Sequence, residues 1–249
     1  MTFKKDKFKI QENEYHFPYH YIPYLDKEQN VVNHRSIDWG FKYFSYLLRI
    51  KTLVEKLQPS SILDIGCGEG RFLGLLDSKI ERKVGVDLSE RPIQFAKAFH
   101  PNIQFYSMDA SYLKEEFDIV TAIEVLEHIP DNEIPHFFNI LEKRLKNNGS
   151  IILSVPTTVV PVSKKHYRHY NLSLFKEQLI SSKAPLKITH VEYVYQFSRL
   201  LKFYAKLTQN KYWIIEIRFL RNLVWRLVQS NFAIANEKNG EEMIIVLRK

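Results

Sequence analysis

Between residues 61 and 155 the chain alternates short apolar runs with longer stretches whose apolar residues recur at three- and four-residue spacing. The runs at 61–65, 83–87, 103–107, 117–123 and 150–155 are predicted strands, each opening into a turn or a polar residue. Helices are predicted between them: 71–78 after a glycine-rich turn, 91–99 behind Ser89 as a cap, and 132–146 up to the stop signal Asn147-Asn148-Gly149. Buried strands joined by helix-length connections predict a parallel sheet with crossover helices, an α/β fold.

Past the fifth run, a polar loop rich in histidine precedes a predicted helix at 173–182, a strand at 186–195 and a last strand at 243–247. Between those two strands, Leu200, Leu201, Tyr204 and Leu207 fall at helical spacing, and a second helical stretch rich in Trp, Ile, Leu and Arg follows. Residues 196–240 are therefore read as a helical insertion before the last strand. The first 60 residues differ in character: Tyr15, Phe17, Tyr19, Tyr21 and Tyr24 alternate with polar or imidazole side chains, and 39–57 forms an amphipathic pattern ending before Pro59. The expected division is an N-terminal arm and helix, 1–60, packing on a main domain, 61–249.

At 249 residues with 45% hydrophobic and 26% charged residues, the chain can bury one sizeable core. Its net charge of +8 favours anionic partners, but the positive residues are dispersed and form no compact nucleic-acid patch. Cys67 is the only cysteine, so no internal disulfide forms, and no apolar leader opens the sequence. The stretch 212–228 carries too many charges to span a bilayer. A cytoplasmic protein is expected, as monomer or homodimer, with peripheral membrane contact through 196–240 left open.

The run Asp64-Ile65-Gly66-Cys67-Gly68-Glu69-Gly70 places glycines where a strand must turn sharply into a helix. Missing side chains let backbone N–H groups approach a ligand, and a helix N-terminus adds partial positive charge. Asp87 closes the second predicted strand, where a carboxylate can accept hydrogen bonds from both hydroxyls of an adenosine ribose. A nicotinamide dinucleotide would want the last glycine three residues beyond the second, to admit a pyrophosphate; here the glycines alternate strictly.

This turn resembles the first motif of class I S-adenosylmethionine-dependent methyltransferases. Val84-Gly85-Val86-Asp87-Leu88-Ser89 resembles their ribose-binding motif, Met108-Asp109-Ala110 the adenine-contacting one, 117–129 the fourth-strand motif and 145–156 the fifth-strand segment, with Asn148 where many relatives have proline. The resemblance implies a Rossmann-like, seven-stranded, mostly parallel sheet whose last strand is antiparallel. It implies S-adenosylmethionine as cofactor: Gly66 and Gly68 along the methionine part, Asp64 near its end, Asp87 with Leu88 at the ribose, and Asp109 with Ala110 at the adenine. Cys67 would pack the turn, and Glu124 would border the cofactor.

Glu124, Glu127 and His128 form an E-x-x-E-H pattern after the fourth strand, at the edge where open α/β sheets bind ligands. His166 and His169 follow the fifth strand in a loop that can fold over the methyl group, and Lys164, Lys165 and Arg168 beside them can grip a phosphate or carboxylate. Glu124, His128 and His169 are the candidate catalytic residues. The pattern is shared by ubiquinone-biosynthesis O-methyltransferases and by RNA-end 2′-O-methyltransferases, in which such side chains hold a divalent metal; Glu124, Glu127, His128 and His169 are the alternative metal set, although no metal is the reading adopted. Tyr19-His20-Tyr21 either covers the site as a lid or packs on the core, and Arg199, Lys202 and Lys206 with Trp213 and Trp225 mark either a packing or dimer face or a docking surface for a lipid-linked substrate or acidic partner. The expected function is O-methylation of a small metabolite, sugar or lipid-linked intermediate. The alternatives are a metal-dependent RNA 2′-O-methyltransferase, nucleic acid being the less favoured partner, and a non-catalytic S-adenosylmethionine-binding partner or sensor.

Overall fold

The computed structural model describes residues 7–10, 24–25, 27–32, 37–196, 198–208, 213, 215 and 217–249. A small hairpin, β1 (Tyr24–Leu25) and β2 (Val31–Val32), precedes the long helix α1 (Ile37–Lys56). Strands β3 (Ser61–Ile65), β4 (Arg82–Asp87), β5 (Gln104–Ser107), β6 (Phe117–Ile123) and β7 (Leu145–Pro156) are parallel, linked through α2 (Arg71–Leu75), α3 (Glu90–Phe99) and α4 (Ile134–Lys143). After α5 (Leu172–Ser182) and β8 (Lys187–Gln196), the insertion supplies α6 (Arg199–Thr208), α7 (Arg218–Leu227) and β9 (Ile234–Ala235). The last strand, β10 (Gly240–Arg248), runs antiparallel between β7 and β8, giving the order β5-β4-β3-β6-β7-β10-β8-β9.

Seven of these strands match the expected sheet; β9 is an eighth. It arises because β8 would otherwise end the sheet as an open edge, and Ile234 and Ala235 pair there with Val194 and Tyr193. Two boundaries also move. Strand β7 begins at Leu145, opposite Phe117, before a register shift, so it takes in the Asn147-Asn148-Gly149 segment expected to stop a helix. The predicted helix 132–146 divides into a 3₁₀ turn, Asp131–Glu133, and α4, whose Pro135 sits in the first turn where its missing N–H costs nothing.

Alternation along the strands sends neighbouring residues into opposite layers. Ile62 of β3 and Ile244 of β10 join α1 residues Phe41, Phe44, Leu47 and Ile50, while Leu63 and Ile245 join Phe138 and Leu141 of α4 and Phe175 of α5. Each fully buried Phe or Leu contributes about 1.5–3 kcal/mol of transfer free energy. Helix α1 thus forms one covering layer of the sheet. The insertion is fastened to it by Trp225 of α7, which stacks on Phe41 at 5.6 Å between ring centroids and donates its indole N–H to the Gln29 carbonyl. Among the described residues, no helix is long and apolar enough to cross a membrane.

Candidate active site

Strand β3 leaves the sheet through the glycine turn. The N–H groups of Gly66 and Cys67 both donate to the Val86 carbonyl, at 2.8 and 3.0 Å, which ties the turn to the end of β4. Gly66 and Gly70 both hold φ of 74°, in the left-handed region that costs an L side chain about 1–2 kcal/mol. A Cβ on Gly66 would lie 2.5 Å from Val125 Cγ2, so the turn touches the residue that follows Glu124.

Asp87 at the end of β4 is used twice by the backbone: Gly68 N–H donates to Oδ2 at 3.0 Å and Ser89 N–H to Oδ1 at 2.9 Å. A carboxylate offers about four lone-pair directions, so it retains capacity for a ligand's hydroxyls. Leu88 beside it is largely exposed, an apolar platform at the strand end. Asp109 caps the short turn Ala110–Tyr112 by accepting from Ser111 N–H at 2.7 Å, and Ala110 is buried behind it. Asp64 is buried; Thr121 Oγ1 donates to it at 2.7 Å, yet burial, with the charges of Asp87 and Glu69, pushes its carboxyl up to about 7.

Cys67 is buried, and burial raises its thiol well above the ordinary range, leaving it a poor nucleophile at neutral pH. Its Sγ lies 2.8 Å from where a Cβ on Gly85 would stand, so the sulfur fills space that Gly85 vacates.

The E-x-x-E-H residues occupy the adjoining strand end. Glu124 follows β6 with φ of 55°, a strained conformation for a residue with a side chain, and its backbone N–H donates to Ser154 of β7. Glu124 Oε1 is buried without a hydrogen-bond donor among the described residues, as are both carboxylate oxygens of Glu127, whose side chain is 0% exposed. Burial and the neighbouring Glu124 raise the Glu127 carboxyl well above the ordinary range. His128 Nε2 stands 3.7 Å from Glu127 Oε1, and the His128 ring meets that of His166 edge to face at 4.6 Å.

The histidine loop is anchored over this cluster by Tyr167 N–H, which donates to the Glu127 carbonyl at 2.8 Å. His169 Nδ1 lies 2.9 Å from the Val160 carbonyl, and His169 Nε2 lies 2.9 Å from His166 Nδ1. A carbonyl only accepts, so His169 carries its proton on Nδ1 and its Nε2 accepts a hydrogen bond from His166 Nδ1–H; the lone pair of His166 Nε2 then faces away from His169. Burial, reinforced by His128 and His169, holds His166 down to about 3, hence neutral. Ligand atoms of Glu127, His128 and His166 lie within 4.8 Å of one another.

This arrangement revises the sequence reading in part. The structure brings Glu124, Glu127, His128, His166 and His169 to one place, but the compact triad contains His166, with His169 behind it as its hydrogen-bond partner. Arg168 turns inward: it pairs with Asp131 at 2.9 Å and donates to the Leu126 carbonyl and the Tyr170 hydroxyl, so it fastens the loop and does not present a free anion grip. Lys7 from the N-terminal arm donates to the carbonyls of Lys164 and His166 and sits over the Tyr167 ring at 5.0 Å. The lid candidate Tyr19-His20-Tyr21 lies outside the described residues.

Two contributors escaped the sequence. Glu242 of β10 is 0% exposed and pairs with Lys42 Nζ of α1 at 3.3 Å. Burial, then the charge of Glu124, drives the Glu242 carboxyl well upward; for Lys42, desolvation is outweighed by the charges of Glu242, Glu124 and Glu241 with the Glu242 hydrogen bond, and its amine is raised. A second fully buried carboxylate, Glu242, therefore joins Glu127 beside the half-buried Glu124, with Lys42 paired to Glu242. The available signal was an acid opening an otherwise apolar terminal strand.

A family model described as a methyltransferase domain matches residues 42–204. A ubiquinone biosynthesis O-methyltransferase of Pseudomonas fluorescens (strain Pf0-1) is 32% identical over 94 residues, 34% of this chain and 40% of its own length. One from Pseudomonas entomophila (strain L48) is 22% identical over 212 residues, 81% of this chain and 85% of its own. The chain thus spans about 40% of the length of the first curated relatives it matches. Among solved structures, magnesium protoporphyrin IX methyltransferase from Synechocystis PCC 6803, with bound S-adenosylmethionine, superposes with a TM-score of 0.61 at 14% identity, covering 100% of this chain and 98% of that one. With the motifs at 61–156 set on this sheet and matched by that model over 42–204, the chain belongs to the methyltransferase-domain family, in the class I S-adenosylmethionine-dependent group.

Proposed function

We propose that the protein transfers the methyl group of S-adenosylmethionine to an oxygen of a small or lipid-linked acceptor. The observation that carries this is the direct abutment of the glycine turn on Glu124-Val125, which sets a nucleoside-binding edge beside a cluster of acids and imidazoles. The residues fit the cofactor: the turn has no side chain at Gly66 or Gly68, Asp87 keeps acceptor capacity, and Leu88 and Asp109 flank the next strand ends. When bound, S-adenosylmethionine supplies an electrophilic methyl; the acceptor oxygen forms the new C–O bond as the C–S bond breaks, and the hydroxyl proton must go to a base.

His128, set against Glu127, is that base, and Glu124 shapes the wall between it and the cofactor. His169 is a positioning residue that fixes the His166 tautomer. Because His166 Nε2 presents a lone pair and both Glu127 oxygens lack donors among the described residues, the triad also suits a divalent cation; with one held there, His128 would be a ligand and the cation, in place of His128 as base, would acidify the acceptor hydroxyl.

The test is methyl transfer from radiolabelled S-adenosylmethionine into aqueous and organic extracts, paired with calorimetric binding of S-adenosylhomocysteine. His128→Asn is expected to keep cofactor affinity and lose transfer. Normal binding with no label entering either extract would support the non-catalytic alternative.

A further inference from the structure

Nine of the nineteen large apolar side chains that the described residues expose fall between 200 and 227, within the insertion. Their placement is ordered. Helix α6 turns Leu201 and Thr208 inward and packs on α1. Its outer half carries two adjoining stripes, each at three- and four-residue spacing: Leu200, Phe203 and Leu207, and beside them Arg199, Lys202 and Lys206, all exposed. Helix α7 repeats the device. Val224 and Trp225 are buried, while Phe219 (78% exposed), Leu223 and Leu227 face outward, flanked by Arg218 and Arg226. Trp213 and Ile217 between the helices are exposed as well. Neither helix contains an acidic residue.

Isolated exposed apolar residues need no explanation; two helices that turn their inner residues into one core cluster and each present an outer apolar stripe flanked by cations do. A two-fold dimer through this face would bring the Arg199, Lys202 and Lys206 stripe toward a copy of itself, a like-charge encounter. An anionic bilayer answers both features, since apolar side chains enter the acyl boundary while long basic side chains reach the headgroups. The position of the insertion gives the contact a use. It leaves β8 at Gln196, which pairs with Gly240 at the start of β10, and β8 runs in the same sense as β7; the insertion therefore departs from the sheet edge that carries the glycine turn and Glu124.

We propose that the outer faces of α6 and α7 dock the protein on an anionic lipid bilayer. Docking stands apart from the chemistry; its consequence, an acceptor drawn from the membrane, rests on the function proposed above. The test is co-sedimentation of the full chain with vesicles of phosphatidylcholine alone and of phosphatidylcholine with one-quarter phosphatidylglycerol. Partition into the anionic vesicles is expected, falling with added salt. Lys202→Gln with Lys206→Gln should weaken it on the order of thirtyfold, about fivefold per charge. Phe203→Ser with Phe219→Ser should abolish stable partition while leaving S-adenosylhomocysteine binding intact. Brominated lipid should quench tryptophan emission in the parent and much less in Trp213→Phe. Equal partition into neutral vesicles, unaffected variants, or concentration-dependent self-association with no vesicle binding would each overturn the proposal, the last by making the face a contact between copies. Loss of cofactor binding with vesicle partition preserved would instead count against the proposed function alone.

Discussion

Asp87 Oδ2 accepts a 3.0 Å hydrogen bond from the backbone N–H of Gly68, nineteen residues earlier, so one carboxylate fixes the shape of the glycine turn. Strand β4 brings the acid to that point because its register with β3 sets Val86 opposite Ile65. Loss of the carboxylate removes this bond, the bond from Ser89 and the proposed ribose contacts together.

For Asp87→Ala, S-adenosylhomocysteine affinity is accordingly expected to drop by about 10- to 150-fold, the worth of one charged hydrogen bond of about 1.5–3 kcal/mol. Isothermal titration measures it. Affinity within threefold of the parent would remove Asp87 from the cofactor site.

Gly66→Ala strains two things at once. The new methyl occupies a left-handed backbone position and stands 2.5 Å from Val125 Cγ2. A loss of roughly 2–4 kcal/mol in unfolding free energy is expected, combining backbone strain with overpacking. Val125→Ala should recover part of it, because the smaller side chain makes room for the methyl. Denaturant unfolding of both variants checks the pair, and no recovery would place the damage in the backbone alone.

Asp64 gives a pH dependence with a definite sign. Its carboxyl sits near 7 in the folded chain against 3.8 ordinarily, so the folded state binds the proton more tightly. The resulting stability is complete below the unfolded value and is lost as pH rises through about 7. Asp64→Asn, which keeps an acceptor for the Thr121 hydroxyl, removes that loss. Its stability relative to the parent should climb between pH 4 and 8 by up to about 4 kcal/mol. Parallel stability curves over this range would show that Asp64 titrates normally.

Glu127 tests the divalent cation. With a first-row divalent ion such as Mn²⁺ at a hundredfold excess over its dissociation constant, the parent should gain about 2.7 kcal/mol. Glu127→Gln and His166→Ala should each lose that gain, because each removes one of three ligands whose atoms lie within 4.8 Å of one another. Thermal unfolding with and without the ion, and after chelation, reads it. An unchanged parent would mean that a proton, not a metal, neutralises the buried acids.

The strand–turn–helix–acid unit was legible in the sequence because it is local: Asp64 to Asp87 spans two strands and one short helix, and each residue's position follows from its place in that unit. The eighth strand was not legible, since two residues paired to an open edge leave no periodic trace. Nor was the triad's membership. His166 and His169 are three residues apart in an irregular loop, and only the fixed carbonyl of Val160 decides which imidazole presents a free lone pair. Arg168 read as an anion grip because its inward partners, Asp131 and Leu126, come from a different connection of the sheet.

Lys42 and Glu242 meet from opposite ends of the chain, and their pairing makes an asymmetric prediction. Lys42 supplies a positive charge beside the fully buried Glu242, so Lys42→Met leaves Glu242 without compensation and should cost about 3–5 kcal/mol. Glu242→Gln acts in the other direction. It removes one negative charge from a place that already holds Glu124 and Glu127, keeps the volume, and still offers Lys42 an amide oxygen. The apo protein should therefore be unchanged or stabilised by this variant, and Glu242→Gln should rescue most of the loss in Lys42→Met, which a double-mutant cycle by denaturant unfolding measures. If Glu242→Gln alone destabilises as much as Lys42→Met, the ion pair holds the edge together and charge crowding does not. If it stabilises, charge crowding among Glu124, Glu127 and Glu242 outweighs the pairing of Glu242 with Lys42.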